Sequence, residues 1–285
     1  MISRLSTIIL WQAALAVTAS LAASPVIAQQ NRPKPQTCVL KAAVERSENA
    51  SPLDPTLAPG NIFDRDIATA LFNKNKAPFV WHVVPKWLVG DWHSEQQTNV
   101  FSRNDKTGKL NAPGGPVSLR STMNQGDFID KAGEVWQCDA PGTWMDNDFD
   151  GLKSHLYSLS ISNAVDTNKQ SSRDAELVCI LVDGKTNKIV RCTRQSINYD
   201  MLPISPSAIR YNNTIKTFDW QGNPVQTSKC VTNLKKVGEF TPNPNKLAPD
   251  GQPLYPLFVQ YLKDHNMADR IPDASPAVPE IMTTP

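Results

Sequence analysis

The chain has 285 residues, of which 29 are basic and 27 acidic, and 40% are hydrophobic. That near-balance of charge excludes a surface built to attract phosphate backbones, which needs a concentrated basic footprint. Length admits one large domain or two small ones, and the 23 prolines point to one modest core with long flanks.

Residues 1–28 have the pattern of an export signal. Arg4 supplies the positive start, residues 8–17 are apolar apart from Gln12, and Val26-Ile27-Ala28 fits a cleavage site that leaves Gln29 as the new N-terminus. The apolar run falls short of the roughly 20 residues that a membrane-spanning helix needs, and no later stretch supplies one, so no integral membrane segment is expected after signal removal. The protein is expected to be exported, to a periplasm or to the outside. Cysteines then meet an oxidising compartment, where disulfides are the default. The five are Cys38, Cys138, Cys179, Cys192 and Cys230. None forms Cys-x-x-Cys, which weakens zinc and thioredoxin readings, and the odd count leaves one thiol over.

Residues 29–86 read as an extended lead-in with one short helix. The helix is expected over 61–73, with Phe63, Ile67, Ala70 and Leu71 on one side and Asp64 and Asp66 in its first turn. Residues 78–84 read as extended. From residue 88 the pattern becomes strand and turn, with strands expected at 88–101, 117–129, 134–138, 156–162, 176–182, 189–193, 212–220 and 225–237. In the first of these, His93, Glu95, Gln97 and Asn99 alternate with Trp92, Ser94, Gln96 and Thr98, so neither face is apolar. Leu254, Leu257, Phe258, Tyr261 and Leu262 recur at helical spacing and predict an amphipathic helix over 254–265. Residues 266–285 read as a disordered Pro-rich tail. The expected fold is therefore mainly β: an antiparallel barrel of about eight strands over 87–265, with a short N-terminal helix and a closing C-terminal helix. Eight strands make a barrel just wide enough for side chains or one small ligand.

The most readable turn is Asp183-Gly184-Lys185-Thr186-Asn187-Lys188, between two β-rich runs, a hairpin signal. If Asp183 pairs with Lys188, Cys179 faces Cys192, close enough for a disulfide with some adjustment. The alternative is two small buried thiols, and a one-residue change of register abolishes the bond.

Gly90-Asp91-Trp92 matches the Gly-x-Trp near the first strand of the lipocalins, and eight strands followed by a helix also resemble that family and the wider calycins. The resemblance covers about residues 87–265. It implies a barrel that serves as a binding cup with the tryptophan closing its base. The polar faces of the first strand argue against a lipid-filled cup.

Four residues stand out as candidate ligand contacts: Trp92, His93, Glu95 and Trp136. His93 and Glu95, two apart on one strand face, also have a spacing compatible with metal ligation or an acid–base pair, although polar outer faces of strands look the same. Asp146-Asn147-Asp148-Phe149-Asp150-Gly151 places alternate carboxylates before a glycine, as calcium loops do, with Asp146, Asp148 and Asp150 as the ligands. Tyr157 stands where such a loop ends in glutamate, and the other reading is an acidic surface loop. Beyond calcium no cofactor is expected. The chain has no Gly-x-Ser-x-Gly elbow, phosphate-binding loop, dinucleotide fingerprint or His-Glu-x-x-His, so nothing recommends an enzyme. The expectation is an exported, non-enzymatic binding protein for a polar or amphipathic ligand or an envelope component. The alternatives are a structural or assembly subunit of a cell-envelope complex and a metal-dependent hydrolase. The expected partner is a small ligand or an envelope protein, and not nucleic acid.

Overall fold

The computed structural model describes residues 49–74, 77–111, 114, 116–149 and 151–273, with backbone alone for 116–121, 149 and 163–165. The expected export signal at 1–28, Cys38 and Asp150 lie outside the described residues, as do residues from 274 onward. A 3-10 turn at Pro55–Leu57 leads to helix α1 (Arg65–Asn73). Eleven strands follow among the described residues: β1 (Val80–Val83), β2 (Gly90–Asn104), β3 (Pro116–Gln125), β4 (Phe128–Ile129), β5 (Val135–Asp139), β6 (Trp144–Phe149), β7 (Leu152–Asp166), β8 (Ser171–Asp183), β9 (Ile189–Ser205), β10 (Ala208–Asp219) and β11 (Pro224–Gly238). Helix α2 (Leu254–Asp264) and a 3-10 turn at Ala268–Arg270 complete the order.

Eight of the strands form one curled antiparallel sheet in the order β3-β2-β11-β10-β9-β8-β7-β6. The first and last strands of the meander, β2 and β11, are neighbours, as in a barrel. The seam between β3 and β6 carries no pairing among the described residues, so the sheet is a half-barrel. The chain departs from the large sheet at Gly126. Its φ of 122° is one that favours glycine, and a Cβ there would sit 2.7 Å from Val135 Cγ1. This is why the strand expected over 117–129 is two strands: β3 stays in the large sheet and β4 turns away to pair with β5. The order β1-β5-β4 makes a second, three-stranded sheet.

Alternation on the long strands divides the buried side chains between two faces. Trp92, Leu156, Leu177, Cys179, Ile197, Tyr199, Met201, Ile209 and Leu234 pack together inside the curl, where Val84 and Leu88 join them. Val178, Ile180, Val182, Ile189 and Cys192 point the other way and are covered by Leu57, Phe63, Ala68 and Phe72. Asp64 caps α1 by accepting from Ile67 N at 3.0 Å, and Asp66 lies in its first turn. The buried face of α1 is only partly the expected one: Phe63 and Leu71 pack toward the sheet, and Ile67 does not. Ala68 and Phe72 pack on the sheet while Ile67 is 51% exposed, because the helix starts at Arg65 and its contact with the sheet is set by Phe72 against Tyr157, ring centroids 4.9 Å apart.

The hairpin at 183–188 forms, with Asp183 accepting from Lys185 N and Thr186 N, and Asn187 at φ 55°. Next to the turn Val182 pairs with Ile189, but a bulge then shifts the register, so that Cys179 pairs with Thr193 and Ile180 with Cys192. The expected Cys179–Cys192 disulfide is corrected accordingly. One extra residue sends the two sulfurs to opposite faces of the sheet, and both remain free thiols, as do Cys138 and Cys230.

The three-stranded sheet packs against α2. Phe258 meets Trp81 at 5.3 Å, Phe128 at 5.2 Å and Trp136 at 5.8 Å between ring centroids, while Leu254 and Leu262 complete the contact. The expected amphipathic helix is thus present with its apolar face engaged. It covers the small sheet rather than the mouth of the curl. Among the described residues no helix is long and apolar enough to cross a membrane.

Candidate functional site

The inside of the half-barrel mixes apolar and polar side chains on both sets of strands, with Ile209, Tyr211, Ile215 and Leu234 on β10 and β11 and Ser158, Thr193 and Gln195 on β7 and β9. β7, β8 and β9 contribute Leu156, Ile161, Ala175, Leu177, Ile197 and Met201 to the apolar cluster. β2, β10 and β11 contribute Ser94, Gln97, Asn99, Ser102, Asn213, Ser228 and Thr232, all buried. The polar residues of β2 reach the interior because that strand is bulged twice. His93 pairs with Lys235 and Gln97 with Thr232, then Asn99 with Cys230 and Phe101 with Lys229, so β2 carries one residue more than β11 in each interval. The expected alternation therefore fails after Ser94. Trp92 and Ser94 face inward, then Gln97 and Asn99, then Ser102, while Gln96 and Val100 are exposed.

Polar atoms inside a protein are ordinarily hydrogen-bonded. Here Oε1 of Gln195 and Oδ1 of Asn213 have no hydrogen-bond partner among the described residues, although the two side chains are only 4–5% exposed. Gln97 lies on β2, Asn213 on β10 and Gln195 on β9, and all three occupy inward positions. Cys230, inward on β11, has its thiol pushed up to about 11 by burial, with Gln97 beside it acting in the opposite direction. Thr217 and Gln226, paired with each other at one end of the half-barrel, are only partly buried. The loop after β2 folds alongside: Asn111 Nδ2 donates to Ser102 Oγ at 2.9 Å.

At the other end the small sheet is fastened to the inner wall by buried charge. Arg173, inward on β8, donates to Asp139 Oδ2 at 3.3 Å, to Ser171 Oγ at 3.2 Å and to His82 Nε2 at 2.5 Å. Burial first, and the Arg173 charge second, hold the His82 imidazole down to a pKa of about 3. The ring is thus neutral at ordinary pH, with Nε2 as the acceptor. Burial pushes the Asp139 carboxyl up while Arg173 opposes it. Two further buried aspartates bind the helix segment to the same sheet. Asp127 pairs with Lys246 and accepts from Cys138 N, and Asp130 pairs with Arg270 at 2.9 Å and accepts from Trp136 Nε1 at 2.9 Å. Each acid thus faces a cation from another part of the chain. A buried pair of this kind is costly to break from one side, so these three contacts fix how the small sheet and α2 sit.

The structure does not bring the four expected ligand contacts together. Trp92 is fully buried, its Nε1 donating to Leu88 O at 2.8 Å, within the cluster inside the curl. His93 and Glu95 pair with each other at 2.6 Å on the outer side of β2. Trp136 belongs to the small sheet, under Arg270. The aspartate segment is also placed differently from expectation. Asp146 and Asp148 lie on strand β6, paired to His155 and Lys153 of β7, so they belong to a hairpin arm and not to a ligand loop. Arg65 reaches Asp146 at 2.6 Å and His155 Nδ1 lies 2.8 Å from it. Burial raises the Asp146 carboxyl, but these two hydrogen bonds outweigh it and hold it below the usual carboxylate range. Among the described residues no group of three or more His, Cys, Asp or Glu side chains is arranged to hold a metal ion.

The fold defines a mainly β protein with an eight-stranded curled antiparallel sheet, compatible with a calycin-like architecture. Comparison with protein-family models, curated proteins and solved structures finds no match to the chain.

Proposed function

We propose that this is an exported, non-enzymatic binding protein that takes a polar or amphipathic ligand inside the half-barrel. The observation that carries the reading is a set of buried amides and hydroxyls interleaved with apolar side chains at inward positions of the half-barrel, of which Gln195 Oε1 and Asn213 Oδ1 lack partners among the described residues. A binding site of ordinary design is mostly apolar with a few polar groups that fix orientation, and an amide left unpaired in such a site is one that a ligand can satisfy. The small sheet is fastened to one end of the half-barrel, and Thr217 and Gln226 toward the other end are only partly buried.

Thermal unfolding of the purified protein against a panel of uncharged polar, amphipathic and purely apolar compounds tests this. The reading expects at least one polar or amphipathic compound to raise Tm in proportion to the logarithm of its concentration. No shift with any member, or shifts with apolar chains alone, would overturn it.

A second reading, an assembly subunit of an envelope complex, draws support from the open seam. Among the described residues β3 and β6 each pair on one side only, and an edge strand is a template for strand addition by another chain. Light scattering of the purified protein separates the two: a monomer at micromolar concentration that responds to a small ligand favours the first.

A further inference from the structure

We infer that the small sheet and α2 form a lid: one self-contained body that swings off its end of the half-barrel while both parts stay folded, with Arg173 as the latch. Such a lid needs no ligand and is independent of the binding role proposed above.

The apolar packing already divides the chain in this way. Trp81, Phe128, Trp136, Leu254, Phe258 and Leu262 belong to a cluster drawn from the small sheet, α2 and the segments beside them. The inner cluster of the half-barrel is separate, and the small sheet reaches it through Val84 and Val135. Two bodies with their own cores and a thin apolar joint open from one another at lower cost than either unfolds.

The buried charges divide in the same way. Asp127 with Lys246 and Asp130 with Arg270 each tie the small sheet to a segment flanking α2, so both pairs are internal to the lid and survive its movement. Arg173 instead crosses the joint. From β8 it donates to His82 on β1 and to Asp139 on β5. Releasing the lid therefore parts one guanidinium from two acceptors and leaves the other buried pairs whole.

The chain passes between the two bodies five times: before and after β1, between β3 and β4, between β5 and β6, and after β11. Five tethers restrict the swing to a short one. Gly126 at φ 122° and Gly142 at φ 102° lie in two of these passages, at the element ends where hinges absorb such changes. A short swing uncovers Ser171, which accepts from Arg173 Nη1, and Tyr199, the β9 partner of Arg173, stacked on Tyr211 with ring centroids 5.4 Å apart.

The test is thiol labelling of S171C in the folded full-length protein. Ser171 is 0% exposed, so reaction at this position reports opening of the joint. Native Cys138 inside the lid and native Cys179 and Cys192 in the half-barrel are internal references. S171C is expected to label about tenfold or more faster than the three references. H82L, which removes an acceptor of Arg173, should raise that rate further and leave the references unchanged. V84C reads the same joint from the lid side and should follow S171C. If S171C and V84C label no faster than Cys179, the joint opens only with the whole protein and the lid is overturned. If they label together with Cys138, the small sheet unfolds instead of swinging, which overturns it equally. A rate unmoved by H82L would assign the labelling to fraying of the turn between β7 and β8 and overturn the latch.

Discussion

Arg173 of β8 donates from Nη2 to Nε2 of His82 on β1 at 2.5 Å, and this buried contact joins the inner wall of the half-barrel to the small sheet. The same guanidinium holds Asp139 at the end of β5, so one side chain grips two strands of the second sheet. Removing it leaves Asp139 buried without its cation. R173M is expected to destabilise the protein by about 3–5 kcal/mol in urea unfolding. The double variant R173M/D139N is expected to recover part of that loss, because it removes the orphaned charge. A double variant no more stable than R173M would contradict this assignment.

The depressed pKa of His82 has a definite sign. Its folded value of about 3 lies below the ordinary 6.5, so between those values the unfolded chain takes up a proton that the folded one refuses. The stability this group contributes is fully present above about pH 6.5 and is lost as pH falls toward 3, with a slope of at most about 1.4 kcal/mol per pH unit. Asp127 and Asp139, both raised by burial, act with the opposite sign. Their contribution is full below the ordinary carboxylate range and fades as pH rises through their folded values. Stability measured from pH 7 to 4 in H82Q against the parent isolates the histidine, since glutamine still accepts from Arg173 and does not titrate. The parent should lose more stability on acidification than H82Q; equal losses would count against the buried neutral imidazole.

The cysteines give a third prediction. Cys179 and Cys192 point to opposite faces, and burial pushes the Cys192 thiol up to about 12 and raises the Cys138 and Cys179 thiols as well. Thiol reagents should leave these cysteines untouched in the native protein and label them in denaturant, and reductant should not change Tm through a Cys179–Cys192 bond. Peptide mapping that recovers 179 linked to 192 would contradict the register described above.

Trp92 fills the centre of the inner cluster and is fully buried. W92A is expected to cost about 3–5 kcal/mol through the cavity it leaves. W92F should cost less, losing mainly the hydrogen bond to Leu88 O. Similar losses for both would mean that the indole N–H, and not packing, is the main contribution.

Export is tested directly by N-terminal sequencing of the protein recovered from an exporting cell. The sequence predicts a chain starting at Gln29; recovery of intact Met1 from the cytoplasm would contradict it.

The sequence made the broad architecture legible because strand runs, turn residues and an amphipathic helix are local signals. The hairpin at Asp183 and the helix ending at Asp264 fall where their residues place them. Bulges are not local signals. The extra residues in β2 and beside Val182 reassign Gln97, Asn99 and Cys192 to faces that simple alternation denies them. Gln195 lies beyond the strand expected at 189–193, because β9 runs on to Ser205, and Asn213 takes the inward position between Tyr211 and Ile215. The small sheet was equally obscure. Its strands β1, β4 and β5 come from stretches that flank or interrupt the main meander, and its buried pairs join residues as far apart as Asp127 and Lys246.

The most direct measurement is the unfolding free energy of the double variant Q195L/N213L in urea, with and without a ligand that stabilises the parent. If the amides face the interior to receive a ligand, the ligand-free variant will be as stable as the parent or more so, because two unpaired buried polar groups are gone, and the ligand will no longer stabilise it. If the variant is less stable by 2 kcal/mol or more while still responding to the ligand, the amides hold the fold together and the site lies elsewhere.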